Sequence, residues 1–449
     1  MIRNFFKSIT IKRFNITKMP STSIDYTKWD KDQLINKIKQ LENPSSSTST
    51  STELKPFSYL TRKVTLKFSY LGYNYCGLAY QATDSPLPTV EETIFKTMVR
   101  VRLMDKYDPE TLTKLNFSRC GRTDRGVSAM NQVMCLDLRS KFKTQEEIEN
   151  RDNDINEINY IKLLNSALPE DIWIHSVSLN CGPDFDARFS CKYRHYRYYF
   201  KLEPHMDLAA MKEGCKNYVG EDKDFRNFCK VDGSKQISNY KRTMFHCDIL
   251  PVNLQENVYC LDLKGTAFLW HQVRCMMAVL LIIGEGQEKP NIINKLMDVE
   301  GEFPTRPDYN MADDAPLVLY DCVYKNEEEI KWLQNNDFKD NSYMALVKRA
   351  SNKTVYSLYY ENLIKLEMSK NLIKFNSNPT INFSEKEEGV RQVSFDKEKF
   401  GSNFINHGDG IHKRCKQIIP LDKRIRLRSF KDTNDKWKQK KKDKKKVIK

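Results

Sequence analysis

One carboxylate stands between two arginines in the run Ser118-Arg119-Cys120-Gly121-Arg122-Thr123-Asp124-Arg125-Gly126-Val127. Glycines on both sides allow a tight, exposed loop. Arg122 and Arg125 favour the ionised form of Asp124 and offer bidentate grips for phosphate. A base or nucleophile held in a cationic surface suits chemistry on a nucleic acid. Taken alone, the pattern fits a solvated ion pair in a surface turn better than a site.

Two further features carry chemistry. Arg274 lies within Ala267 to Ile283, a stretch apolar on nearly all helical faces. A buried guanidinium needs a partner, and a snorkelling arginine at the end of a core helix is the plainer alternative. Tyr193, Tyr196, Tyr198, Tyr199 and Phe200 crowd one segment with Arg194, His195 and Arg197. Aromatics interleaved with arginines suit stacking on an unpaired base beside phosphate contacts. A strand whose aromatics pack the core reads the same way, above all for Tyr198 and Phe200. His195 reads as a polar strand residue.

Gly121-Arg122-Thr123-Asp124 followed by Gly126-Val127 resembles the catalytic motif of the TruA family of tRNA pseudouridine synthases. Three more segments agree in order and spacing: Ser69 to Gln81, Phe185 to Ser190 followed by Tyr196-Arg197-Tyr198, and Gly265 to Gly284. The resemblance covers about residues 60 to 325. It implies isomerisation of uridine to pseudouridine in tRNA, with Asp124, Tyr196 and Arg274 catalytic. Arg274 would meet Asp124 across the cleft, and Tyr196 would stack on the target uracil. Arg122, Arg125, Arg188, Tyr196 and Arg197 would bind substrate. The reaction has no net redox change and no hydrolysis, so it demands neither metal nor cofactor. The implied fold is α+β: two ferredoxin-like halves sharing a continuous, mostly antiparallel sheet with a central catalytic cleft. Tyr80 before Gln81, Pro88 to Glu91, Asn227 to Asp232 and Met311-Ala312 resemble the eukaryotic branch, which acts in the anticodon stem-loop at positions 38 and 39. Bacterial members are homodimers, which leaves a homodimer open here. A non-catalytic tRNA-binding chaperone, or a synthase acting at other tRNA positions, remains the alternative.

Composition agrees with a nucleic-acid partner. The 449 residues carry a formal net charge of +15, which attracts a polyanion. The apolar run Met276 to Ile283 is too short to cross a membrane, so no membrane partner is expected. Twelve cysteines without a C-x-x-C pair read as free thiols, and the scattered histidines predict no zinc site.

The elements that must position these residues follow from periodicity. Residues 1–24 are basic, acid-free and dotted with Phe and Ile, the composition of a mitochondrial presequence. Met19 is a second start, so nuclear and cytoplasmic forms are expected beside a mitochondrial one. Residues 25–61 hold an amphipathic helix (31–42) and a Ser/Thr-rich linker (44–52). The N-terminal catalytic half is 62–180, opening on a strand in which Val64, Leu66, Phe68 and Tyr70 alternate with polar residues. Thr89 and Glu92 form a capping-box signal. Helix is expected from Ile158 to Leu168 and strand from Val133 to Leu138. The C-terminal half is 181–325, with strands at Arg194 to Phe200, Val258 to Leu263 and 316–324. A helix from Phe268 to Ile283 should close on Gly284. A helical and loop-rich extension (326–430) and a disordered lysine tail (431–449) follow, the tail adding non-specific RNA affinity or nuclear import.

Overall fold

A computed structural model of the chain describes residues 59–81, 85–254, 257–324, 330–339, 359–369, 381–385, 391–395, 404–408, 412–414 and 417–447. The expected presequence, amphipathic helix and Ser/Thr linker lie outside the described residues. Ser58–Lys449 clusters as one compact unit.

The N-terminal half runs β1 (Thr61–Tyr70), α1 (Val90–Arg100), β2 (Ser118–Arg119), β3 (Ser128–Arg139), α2 (Tyr160–Asn165) and β4 (Ile172–Ser178). Strand order is β4-β1-β3, with β2 on the far edge of β3. The C-terminal half repeats the plan with β5 (Cys191–Lys201), α3 (Leu208–Tyr218), β6 (Gly220–Asp224), β7 (Lys241–Asn253), β8 (Val258–Gly265), α4 (Gln272–Gly284) and β9 (Leu317–Tyr324). Its order is β9-β5-β8-β7-β6. Each half is therefore a ferredoxin-like β-α-β-β-α-β unit, the second with β6 as an added edge strand. A parallel pairing of Ser128–Ala129 with Val318–Leu319 joins them into one open nine-stranded sheet, otherwise antiparallel. The expected α+β class holds.

Local signals act as read. Val64, Leu66, Phe68 and Tyr70 are buried in β1. Thr89 caps α1 reciprocally: its hydroxyl accepts from Glu92 N (3.1 Å), and Thr89 N donates to the Glu92 carboxylate (3.4 Å). Ile94, Phe95 and Met98 then face the core.

Three expectations need correction. The α4 helix starts at Gln272, not Phe268, because His271 before it sits at φ +61 and cannot belong to the helix. Its left-handed terminal glycine is Gly286 (φ +70), not Gly284. Gly284 serves packing instead: a Cβ there would lie 2.6 Å from Met211 Sδ. The lysine tail is not disordered over its described length. Residues Phe430–Val447 form a helix, α5, docked on the C-terminal half. Phe430, Thr433, Asn434 and Trp437 recur at helical spacing, and Phe430 packs on Tyr240 (5.0 Å between centroids). Asn434 Nδ2 donates to Ile237 O (3.2 Å). Packing at the helix start supplies what the lysine composition lacks.

No helix among the described residues is long and apolar enough to cross a membrane. The eleven described cysteines are free.

Candidate active site

Asp124 sits in the loop between β2 and β3, where that strand edge approaches the second half. The backbone reverses at Gly126 (φ +79), and Val127 N donates to Asp124 O (3.2 Å). A Cβ at Gly126 would lie 2.7 Å from Asp314 Oδ1, so the position requires glycine for conformation and for space. The glycine-bearing segment after β1 holds the loop from beneath. Tyr70 Oη bonds Thr123 Oγ1 (2.7 Å), and Leu78 N donates to Thr123 O (3.2 Å). Gln132 Nε2 donates to Gly121 O (3.2 Å).

The carboxylate meets one donor and one imidazole from the segment before α4. Trp270 Nε1 donates to Oδ1 (3.2 Å), and His271 Nε2 lies 3.4 Å from Oδ2. Burial pushes the Asp124 carboxyl above the usual carboxylate range. The Arg274 guanidinium, the Trp270 hydrogen bond and Lys230 oppose that rise, while Asp314 adds to it. His271 is pushed down to about 4, by burial first and then by Arg274, Lys230 and Arg306. It is therefore neutral at neutral pH and lies beside the carboxylate without adding a charge.

Arg274 does not pair directly with Asp124, contrary to expectation. Its Nε donates to Ala312 O (2.8 Å), and its Nη1 lies 3.4 Å from Asp314 Oδ2. It acts on Asp124 through space, as the strongest charge favouring ionisation. Asp314 intervenes because its side chain fills the space over Gly126.

Tyr196, on β5 opposite Leu319 of β9, points to the same side. Burial holds its phenol far above the usual range, and the nearby Asp124 charge adds to the rise. Its ring meets Phe268 edge-on at 4.8 Å and is only 9% exposed. Stacking on a base therefore requires Phe268 to shift.

Arg122, Arg125 and Arg188 are exposed, and Arg188 lies against Phe189, which is 77% exposed. Arg197 is a correction. Strand alternation turns it to the opposite face from Tyr196. There its Nε donates to Asp262 Oδ1 (2.8 Å), and its guanidinium lies over Tyr320 (3.8 Å). His195 shares Asp262 (2.7 Å), as befits a polar strand residue.

Sequence reasoning passed over Trp270, His271 and Asp314, and did not single out Arg194. Arg194 donates to Cys120 O (2.9 Å), Arg188 O (2.7 Å) and Thr266 O (2.7 Å). One guanidinium thus ties three of the four motifs together. A polar residue in the apolar flank of α4 was the available signal for His271; nothing local marked Asp314.

The arrangement presents the Asp124 carboxylate, 32% exposed by side chain, held by the Trp270 indole beside a neutral imidazole and a cation, in a cleft between two halves. Residues 215–325 match the family model for tRNA pseudouridine synthase. The chain is similar to the tRNA pseudouridine(38/39) synthase of Saccharomyces cerevisiae, 40% identical over 94% of this chain and 93% of that protein. It is similar to the human protein of that name, 36% identical over 70% of this chain and 66% of that protein. The tRNA pseudouridine synthase A of Methanothrix thermoacetophila is 29% identical over 68% of this chain and 97% of its own length. With four motifs converging on one half-buried carboxylate and a relative this similar along nearly its whole length, the chain belongs to the tRNA pseudouridine synthase family.

Proposed function

We propose that this chain isomerises uridine to pseudouridine at positions 38 and 39 of the tRNA anticodon stem-loop, with Asp124 as the reacting group. In the reaction the N1–C1′ bond breaks, the base turns, C5 joins C1′, C5 loses its proton and N1 gains one. Asp124 acts on the sugar or on the base. The carrying observation is the Asp124 carboxylate between the halves, hydrogen-bonded at Oδ1 by Trp270 and with His271 3.4 Å from Oδ2. Arg274 supports it by keeping it ionised, and Tyr196 lines the uracil's place as a neutral phenol. The exposed Arg122, Arg125 and Arg188 are placed for backbone phosphates, which position but do not specify. Extruding the target base costs roughly a few kcal/mol, which aromatic stacking offsets.

The test is a pseudouridine map of bulk tRNA incubated with the wild type and with Asp124→Ala. Signal at the base of the anticodon stem, lost in the variant, is the expected result. Signal elsewhere in tRNA would keep the chemistry and overturn the position. No signal with either protein, alongside tight tRNA binding, would overturn catalysis. This reading takes the assembly as a homodimer, on the resemblance to bacterial members; a monomeric mass by light scattering would overturn that. It takes the form starting at Met1 to be mitochondrial and the form starting at Met19 nuclear and cytoplasmic; identical distributions of the two tagged forms would sink the assignment.

A further inference from the structure

The C-terminal segment returns to the catalytic body beside the active site. Leu427 N donates to Arg306 O (2.8 Å), and Asp308 N donates to Ile425 O (2.8 Å). The loop around Lys230, Pro304–Arg306 and Leu427–Thr433 enclose a cleft of about 250 Å³. Its cations are Arg226, Lys230, Arg306 and Arg428, and no carboxylate lines it. Arg226 is occupied by Asp224 (2.6 Å). The exposed side chains of Lys230 and Arg428 bond no described residue; Arg306 is partly engaged, its Nη2 donating to Tyr309 O (2.6 Å), but its buried Nε has no partner.

This cleft shares a wall with the active site. Lys230 N donates to Trp270 O (3.1 Å), and Trp270 holds Asp124. The charge of Lys230 reaches both Asp124 and His271.

Helix α5 begins at the same cleft. Its first two turns are seated on the body. At Gly233 a Cβ would lie 2.8 Å from Thr433 O, so the helix rests on bare backbone there. Gln236 Nε2 donates to Asn434 O (3.2 Å). Beyond Trp437 the seat ends, and Lys438, Lys440, Lys441 and Lys442 are all exposed. Like charges four apart, such as Lys438 and Lys442, repel by about 0.2–0.5 kcal/mol per pair in an isolated helix. A polyanion relieves that repulsion, and phosphates gain from neutralisation by releasing counterions.

We infer that Leu427 to Val447 is a substrate arm. The cleft of Lys230, Arg306 and Arg428 takes a backbone phosphate flanking the target nucleotide, and the lysines of α5 carry the contact outward along the same tRNA. A docked helix makes this a directed contact rather than the diffuse attraction of a loose tail. The inference rests on tRNA as the substrate.

The test compares the full chain, a chain ending at Trp437, and full-length Arg428→Glu, all with the same tRNA. Truncation should raise KM about tenfold or more, because several phosphate contacts are lost, and leave kcat within about twofold. The slope of log Kd against log salt should fall by roughly 2–3, at about 0.7–0.9 per contact. Arg428→Glu should change both in the same direction, the slope by about 1. Thermal melting of each variant checks the fold. Unchanged KM and salt slope on truncation would overturn the arm, including the case where the lysines serve an import receptor. A fall in kcat at unchanged KM would also overturn it, assigning the segment to the integrity of the site. Failure of the isomerase reading is a different result: the full chain would form no pseudouridine at all.

Discussion

Arg62 and Arg274 each face a pair of carboxylates, and the two clusters are built in opposite ways. Arg62 Nη2 meets Asp154 at 2.7 Å, its Nη1 meets Glu157 at 3.2 Å, and Leu179 O accepts a further bond at 3.1 Å. All three side chains are within 3% of full burial. Arg274 has one carbonyl at 2.8 Å and one carboxylate at 3.4 Å, and it leaves Asp124 beyond ion-pair reach. Asp314 and Asp124 stay 37% and 32% exposed. In the first cluster both carboxylates are taken up by the guanidinium, leaving only a buried Nε without a partner, and the cluster holds β1 to the loop before α2. The second is short of partners on the side that opens to the cleft, so its carboxylate keeps bonding capacity for a substrate.

The sharpest way to break the comparison is to remove the reacting group. Asp124→Asn should lower pseudouridine formation by roughly 10⁴-fold or more, the scale on which loss of a reacting group acts. tRNA affinity should stay within about threefold, because phosphate contacts dominate it. Burial raises this carboxyl's pKa, so its ionised form opposes folding at neutral pH, and the opposition disappears as pH falls below the folded pKa. The variant should therefore melt at or above the wild-type temperature. A clear drop in melting temperature would make Asp124 structural, like Asp154.

Arg62→Ala tests the other side. Stranding Asp154 and Glu157 should cost about 3–5 kcal/mol of stability, read by urea denaturation, with kcat of the folded protein unchanged. A selective loss of kcat would erase the distinction between the clusters.

Arg274→Gln should lower kcat by about 10–100-fold, that is about 1.4–2.7 kcal/mol. The sign of the pH effect follows from its charge. Arg274 favours ionised Asp124, so its removal raises that pKa further and moves the acid limb of the kcat profile to higher pH. An unshifted limb would mean that Arg274 serves only to hold Ala312 and Asp314.

Trp270→Phe is the mildest change. Losing one hydrogen bond to the carboxylate should cost about 1–2 kcal/mol of transition-state stabilisation and shift the same limb slightly upward. His271, at about 4, should contribute no limb between pH 5 and 8 in either protein.

Neighbours along the chain settle the local elements. Alternation fixed β1, the reciprocal Thr89–Glu92 cap fixed the start of α1, and the Gly–Arg–Thr–Asp run fixed a loop around Asp124. These are contests among residues a few positions apart, where side-chain period and capping settle the outcome. Tertiary structure decided the rest. Asp124 receives its hydrogen bond from Trp270 and has His271 beside it, and Asp314 takes the arginine expected for it, all across the joint between the halves. Arg197 was turned to the far face by a strand alternation that the motif does not reveal, and the lysine helix was set by Phe430, Asn434 and Trp437 finding a seat near Gly233. Such contacts depend on which surfaces meet once the two halves join through β3 and β9, and no local period encodes that meeting.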